Sequence, residues 1–290
     1  DAVLSNSEHV LLAFAVIVGL VVGSIVAVRH FRVPANRAKL AREMEARPLL
    51  RPLLALGRRA SPHARFVAGR MTPGDLGLEL TTALAALAVG SYIAIALGLH
   101  VADNPGPTTT DSAAFDFCER IATSWMTEIA KLVTTLGSTP VMIVVTLAMA
   151  VWLGSRRNWL ELAVLLAGVL VILIGTNVIK EVVDRPRPEG GLVDAYGMSY
   201  PSGHASHAVL YTWIALTISV RLKTGITRGA ALIGAGIALT AAVGLSRVYL
   251  RVHYLSDVNG GWAFGVSAFA ALAAVAVLIS YFRQDGDRVD

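Results

Sequence analysis

At 290 residues, with 55% hydrophobic and only 16% charged residues and a mean hydropathy of +0.62, the chain is too apolar for an ordinary water-soluble domain. The composition predicts a polytopic membrane protein, all-α because a spanning backbone must satisfy its own hydrogen bonds. The net charge of +5 comes mostly from one basic stretch, residues 29–75, which argues for a membrane surface and against nucleic acid as a partner.

Apolar runs long enough to cross a hydrocarbon core of about 30 Å as helix fall at 9–28, 78–101, 139–154, 158–180, 205–221, 229–246 and 259–281, predicting seven spans. The run at 139–154 is the shortest of these and reaches across only with flanking residues. The first is read as a retained span, since it is longer than a signal-peptide core and no small-residue cleavage pattern follows. The chain opens on Asp1 and not Met, as a trimmed chain or the tail of a longer one would.

Between the first two spans, residues 29–77 carry repeated Arg, several Pro and apolar pairs such as Leu49-Leu50. Such a segment either lies on anionic lipid at about 1 kcal/mol per basic residue or serves to fix topology. After the second span, a Pro, Gly and Thr-rich stretch leads into a helix expected over about 112–136, capped by Ser112. Ile121, Trp125, Ile129, Leu132 and Leu136 recur on one face, as in an interfacial or packing helix that Gly137 ends. The single cysteine, Cys118, excludes an internal disulfide.

The organisation predicted is an N-terminal transmembrane helix at 1–28, a basic segment at 29–77, a helical domain at 78–282 and a tail at 283–290. Arg156 and Arg157 in one short loop, and Arg221, Lys223 and Arg228 in another, join the 29–75 segment on the cytoplasmic side. The loops at 102–120, 181–204 and 247–257 then face outward, and the C-terminus faces the cytoplasm.

Two of those outward loops carry three short stretches rich in phosphate-handling residue types: Lys180 to Pro188 (KEVVDRPRP), Tyr200 to His204 (YPSGH) and Ser246 to Asp257 (SRVYLRVHYLSD). Arg187 and Arg247 offer planar forks for two phosphate oxygens, and Lys180 a compact charge at a helix end. Pro186 and Pro188 stop that helix. Ser202 and Gly203 open the next one, whose amides and positive end suit an anion, with His204 in its first turn. The four-residue spacing of His253 and Asp257 places them on one helical face, where the carboxylate fixes the imidazole tautomer. Taken singly, each cation has a blander reading as a side chain reaching for lipid heads, Ser202 as a helix cap and His253 with Asp257 as a plain ion pair. Arg185 and Arg251, outside the motifs, are expected to reach for lipid heads, and His207 to be structural.

Together the stretches match K-x6-RP, PSGH and SR-x5-H-x3-D without departure, and the chain resembles the type 2 phosphatidic acid phosphatase (PAP2) and vanadium haloperoxidase superfamily over Lys180 to Asp257. The resemblance implies a six-helix core with one extra N-terminal span. It also implies a metal-independent and cofactor-free hydrolase of a lipid phosphate or diphosphate. Phosphatidic acid, phosphatidylglycerophosphate and polyprenyl diphosphate are candidate substrates. In that scheme His253 attacks phosphorus, Asp257 orients it, and His204 protonates the leaving oxygen. Lys180, Arg187, Ser202, Gly203 and Arg247 hold the phosphate.

Rival readings are a phosphotransferase or haloperoxidase on the same fold, a transporter, and a metal hydrolase using His204, His207, His253, Asp184 and Asp257. The last lacks compact ligand spacing and would hold its cation beside Lys and Arg. Transport predicts ionisable groups deep in spans, whereas most here lie at span ends. The motifs leave oligomeric state open.

Overall fold

The computed structural model describes residues 77–286, with side chains over 79–280. The span expected at 9–28, the basic segment at 29–75 and the last residues of the tail lie outside them. Among the described residues all regular structure is helical. α1 (Gly77–Asp103) is followed by two short helices, α2 (Thr109–Arg120) and α3 (Ser124–Thr135). Then come α4 (Thr139–Ser155), α5 (Trp159–Val183), α6 (Gly203–Arg221), α7 (Ile226–Tyr249) and α8 (Leu255–Gly286).

The one helix expected over 112–136 is two, because two threonines each start a helix. Thr108 forms a capping box with Asp111, accepting from the Asp111 amide at 3.1 Å while its own amide donates to the Asp111 carboxylate at 3.0 Å. Thr123, in extended conformation, accepts from the Met126 amide at 3.4 Å and restarts the chain as α3. The Tyr249 hydroxyl fastens the break to α7, lying 3.3 Å from the Thr123 amide and 3.2 Å from the Thr127 hydroxyl. Trp125, Ile129 and Leu132 are at least half exposed, whereas Ala130 and Thr134 are buried where α3 packs on α7.

α1, α5, α7 and α8 are long and apolar enough to cross a membrane, and α3 with α4, bent by 49° between them, makes a fifth candidate. α6, expected as a span at 205–221, is the least apolar of the six long helices because it opens on Gly203-His204-Ala205-Ser206-His207. It packs on α4, α5, α7 and α8. The main core joins α4, α5, α6 and α8 through Met142, Leu153, Leu165, Ile172, Leu210 and Phe269, with Trp213 stacked on Phe269 at 5.0 Å. Leu147, Val151, Leu170, Ile174 and Val178 remain exposed, which suits helices surrounded by lipid.

Antiparallel packing sets the starts of α6 and α8 beside the ends of α5 and α7. The Ser202 amide donates to the Asp257 carbonyl at 3.0 Å, and Glu161 in the first turn of α5 pairs with Arg221 at the end of α6. Gly261 lets α8 lie directly against the turn that opens α6: a Cβ there would stand 2.5 Å from the Ser202 carbonyl oxygen. Gly261→Ala should therefore destabilise the fold by roughly 1–3 kcal/mol despite the better helix propensity of Ala. A melting temperature equal to the parent's would contradict this packing.

Candidate active site

Every sequence-predicted site residue lies at one end of the bundle. Lys180 ends α5, whose chain reverses at Asp184 in the left-handed conformation, φ 50°. The corner precedes Pro186, which disfavours helix at the residue before it. Ser202, fully buried, caps α6 by accepting from the Ala205 amide at 3.4 Å, so Gly203 and His204 form its first turn. Arg247 ends α7, and a short turn carries His253 to the start of α8 and Asp257.

The helical pairing expected of His253 and Asp257 is not what joins them. His253 lies two residues before α8, in the turn. Asp257 reaches back over the open end of its helix: Oδ2 accepts from the Tyr254 amide at 2.8 Å and from the Ser199 hydroxyl, and stands 3.5 Å from His253 Nδ1. Oδ1 accepts from Arg185 Nη1 at 2.6 Å. At the other side of the ring, Arg187 Nη1 lies 3.0 Å from His253 Nε2. A guanidinium only donates, so Nε2 must be the bare acceptor and Nδ1 must carry the proton that faces Asp257.

Burial pushes the imidazole down to about 4, with Arg187 and Arg247 acting in the same direction and Asp257 opposing them. His253 is thus neutral at physiological pH. Arg187 loses some of its affinity for its proton to burial but remains a cation.

Arg187 and Arg247 lie within electrostatic reach of this ring, and Lys180 lies within reach of both. Lys180 donates to the Met198 carbonyl. Arg187 donates to the carbonyls of Gly197 and Tyr196, each at 2.9 Å, and of Val252 at 2.7 Å. Arg247 is 5% exposed; its Nη1 donates to the Thr134 hydroxyl at 2.9 Å while Nε, like His253 Nδ1, has no hydrogen-bond partner among the described residues. His204 lies within electrostatic reach of Arg247, His207, His253 and Arg187. His207 Nδ1 is 2.9 Å from the Gly137 carbonyl, a buried packing contact. Among the described residues no three His, Cys, Asp or Glu side chains are grouped to hold a metal ion.

Arg185 corrects the sequence reading. Expected to reach for lipid heads, it is 0% exposed, paired with Asp111 and Asp257. Arg251 pairs with Glu119 at 2.9 Å. Asp111, Thr134, Ser199 and Ser256 were missed. The capping-box spacing of Thr108 and Asp111 was readable, whereas contacts separated by 58 to 145 residues leave no local signal.

Residues 159–283 match the PAP2 superfamily model. Phosphatidylglycerophosphatase B of Bacillus subtilis (strain 168) is 31% identical over 189 residues, 61% of this chain and 88% of that protein. The chain belongs to the PAP2 superfamily. The crystal structure of the first transmembrane PAP2-type phosphatidylglycerolphosphate phosphatase from Bacillus subtilis superposes with a TM-score of 0.55 at 26% identity, covering 62% of this chain and 94% of that one. Aquifex aeolicus LpxE is more distant, at 20% identity and a TM-score of 0.44 over 55% of this chain and 91% of its own. This PAP2 protein is a multi-pass membrane phosphatase, a phosphoric ester hydrolase.

The depressed His253 value has a consequence for stability. The unfolded chain takes up this proton near pH 6.5 and the folded one only near 4, so the contribution is fully present above 6.5 and falls as pH drops from 6.5 toward 4. Nitrogen-15 NMR of histidine-labelled protein should show one imidazole protonated at Nδ1 alone down to about pH 4. An imidazolium at pH 6 for His253 would contradict the tautomer derived above.

Proposed function

We propose that this PAP2 phosphatase hydrolyses a phosphate monoester or diphosphate on a lipid head group, without a metal, through a phosphohistidine at His253. The observation that carries the reading is the bare Nε2 of a neutral imidazole beside Arg187 and Arg247, with Lys180 within electrostatic reach of both and the buried Nε of Arg247 unpartnered among the described residues. Buried guanidinium N–H groups without acceptors are costly, and a phosphate oxygen repays that cost.

An incoming phosphate takes the donors now held by the carbonyls of Tyr196, Gly197 and Met198 and draws Arg187 off His253. Nε2 then attacks phosphorus, forming the N–P bond as the P–O bond to the leaving group breaks. His204, which burial and then Arg247 keep neutral in the free protein, takes up a proton that enters with the phosphate group and gives it to that oxygen. Charge growing on the transferred oxygens meets Lys180, Arg187 and Arg247, with Ser202 and Gly203 at the positive end of α6. Asp257 supports the imidazole as it becomes cationic. Water, deprotonated by His204, then attacks phosphorus and releases orthophosphate, restoring bare Nε2.

Membrane helices around the site and the relatives' substrate favour a lipid. Phosphatidylglycerophosphate, the substrate named in both Bacillus subtilis matches, is the first candidate, ahead of phosphatidic acid and polyprenyl diphosphate. The basic loops at 156–157 and 221–228 favour a cytoplasmic position for the opposite end of the bundle, and so a site that faces outward.

Phosphate release from a panel of detergent-solubilised lipid phosphates tests the reading. Release should persist in EDTA, be fastest with phosphatidylglycerophosphate, and fall at least about 10³-fold in kcat for His253→Ala. Arg247→Lys keeps the charge but not the fork and should lower kcat/KM about 100-fold. Release that survives His253→Ala, or that EDTA abolishes, would overturn the mechanism.

A further inference from the structure

We propose that Arg185, held in place by Asp111, is a positioning residue that sets the orientation of Asp257 and through it the ring of His253. The inference rests on the mechanism proposed above and deepens it. Arg185 lies outside every motif read from the sequence, yet none of its donors is idle. Nε donates to the Pro105 carbonyl at 3.1 Å, and Nη2 to the Gly106 carbonyl at 2.8 Å and to Asp111 Oδ2 at 3.2 Å. Nη1 donates to the Ser256 hydroxyl at 2.8 Å and to Asp257 Oδ1 at 2.6 Å. Five N–H groups thus meet five acceptors, and the guanidinium plane lies 4.0 Å from the Tyr254 ring centroid.

Asp111 is committed in the same way. Oδ1 accepts from the Ser256 amide at 2.8 Å, and Oδ2 accepts from the Ser256 hydroxyl at 2.8 Å as well as from Arg185. The start of α2 and the start of α8 are therefore locked to one guanidinium. With Oδ1 of Asp257 taken by Arg185, only Oδ2 is left to turn toward Ser199, the Tyr254 amide and His253 Nδ1.

Two features separate this from a packing staple. Asp111, Arg185 and Asp257 are all 0% exposed, and a buried ionic cluster of this kind is weak evidence for stability because desolvation costs several kcal/mol per ion. The second is direction. Arg185 and Arg187 flank Pro186 and grip the same pair from its two ends, one at Asp257 Oδ1 and the other at His253 Nε2. A proline whose φ is fixed holds the two forks in register.

Arg185→Lys and Asp111→Asn in the full chain, with His253→Ala beside them, test the proposal. Lys keeps the charge but cannot span five acceptors; Asn keeps the volume and loses one carboxylate. Both variants should lose kcat by roughly 10- to 100-fold, the scale on which a supporting partner acts on the group it orients. KM and inhibition by inorganic phosphate should stay within about twofold, because Lys180, Arg187 and Arg247 are untouched. Nitrogen-15 NMR should show His253 shifting from pure Nδ1–H toward a mixture of tautomers. A kcat within twofold of the parent, or loss of phosphate inhibition together with kcat, would overturn the inference, and so would failure of both variants to fold, since Arg185 would then serve the fold alone. Parent-like variants beside an inactive His253→Ala sink only this inference; an active His253→Ala sinks the mechanism beneath it.

Discussion

The carboxylate of Asp257 is the point on which the site depends. It is wholly buried, and a buried carboxylate is tolerated only when its oxygens are satisfied by charge and hydrogen bonds. Arg185 takes one oxygen; the Ser199 hydroxyl and the Tyr254 amide take the other, which also faces His253. Each partner comes from a different stretch of chain, so satisfying one side chain draws together the corner after α5, the approach to α6 and the start of α8. The Asp257 backbone adds its own tie, its carbonyl accepting from the Ser202 amide.

The cations follow from the same arrangement. Arg185 meets the acid, and Arg187, on the other side of Pro186, meets the far nitrogen of the ring. Lys180 and Arg187 donate to three successive carbonyls, Tyr196 to Met198, and Arg187 also to that of Val252. Exchanging carbonyl dipoles for a charged phosphate favours binding, because a charge-assisted hydrogen bond is about twice as strong as a neutral one. Among the described residues Arg247 has a side-chain hydrogen bond to Thr134 and an unpartnered Nε, so it is the cation with most to gain.

Much of this was legible in the sequence, and the reasons differ by element. The long helices were readable because each is an apolar run bounded by charge or proline. The start of α6 was readable because Ser202 is a good cap, although the helix expected as a span at 205–221 is not among the candidate spans of the described residues. The break in the helix over 112–136 escaped notice because its apolar spacing continues across Ile121 and Trp125, although Thr123 was there to restart it. The motif residues converge where spacing put them, yet the His253 and Asp257 contact is made from a turn, which helical spacing alone misdescribes. Arg185 was misassigned for a different reason. An arginine at a span end usually reaches for lipid heads, and it is the distant Asp111 and Asp257, 74 and 72 residues away, that make burial tolerable.

The claim on which the account stands is that phosphate passes through His253. Rapid mixing with a lipid substrate labelled in its phosphate, an alkaline quench and mass analysis of the peptides test it most directly. The account predicts a transient, acid-labile phosphate on the peptide carrying His253, formed and lost at rates that match turnover. A full turnover with no label on the protein, or label on another residue, would contradict it.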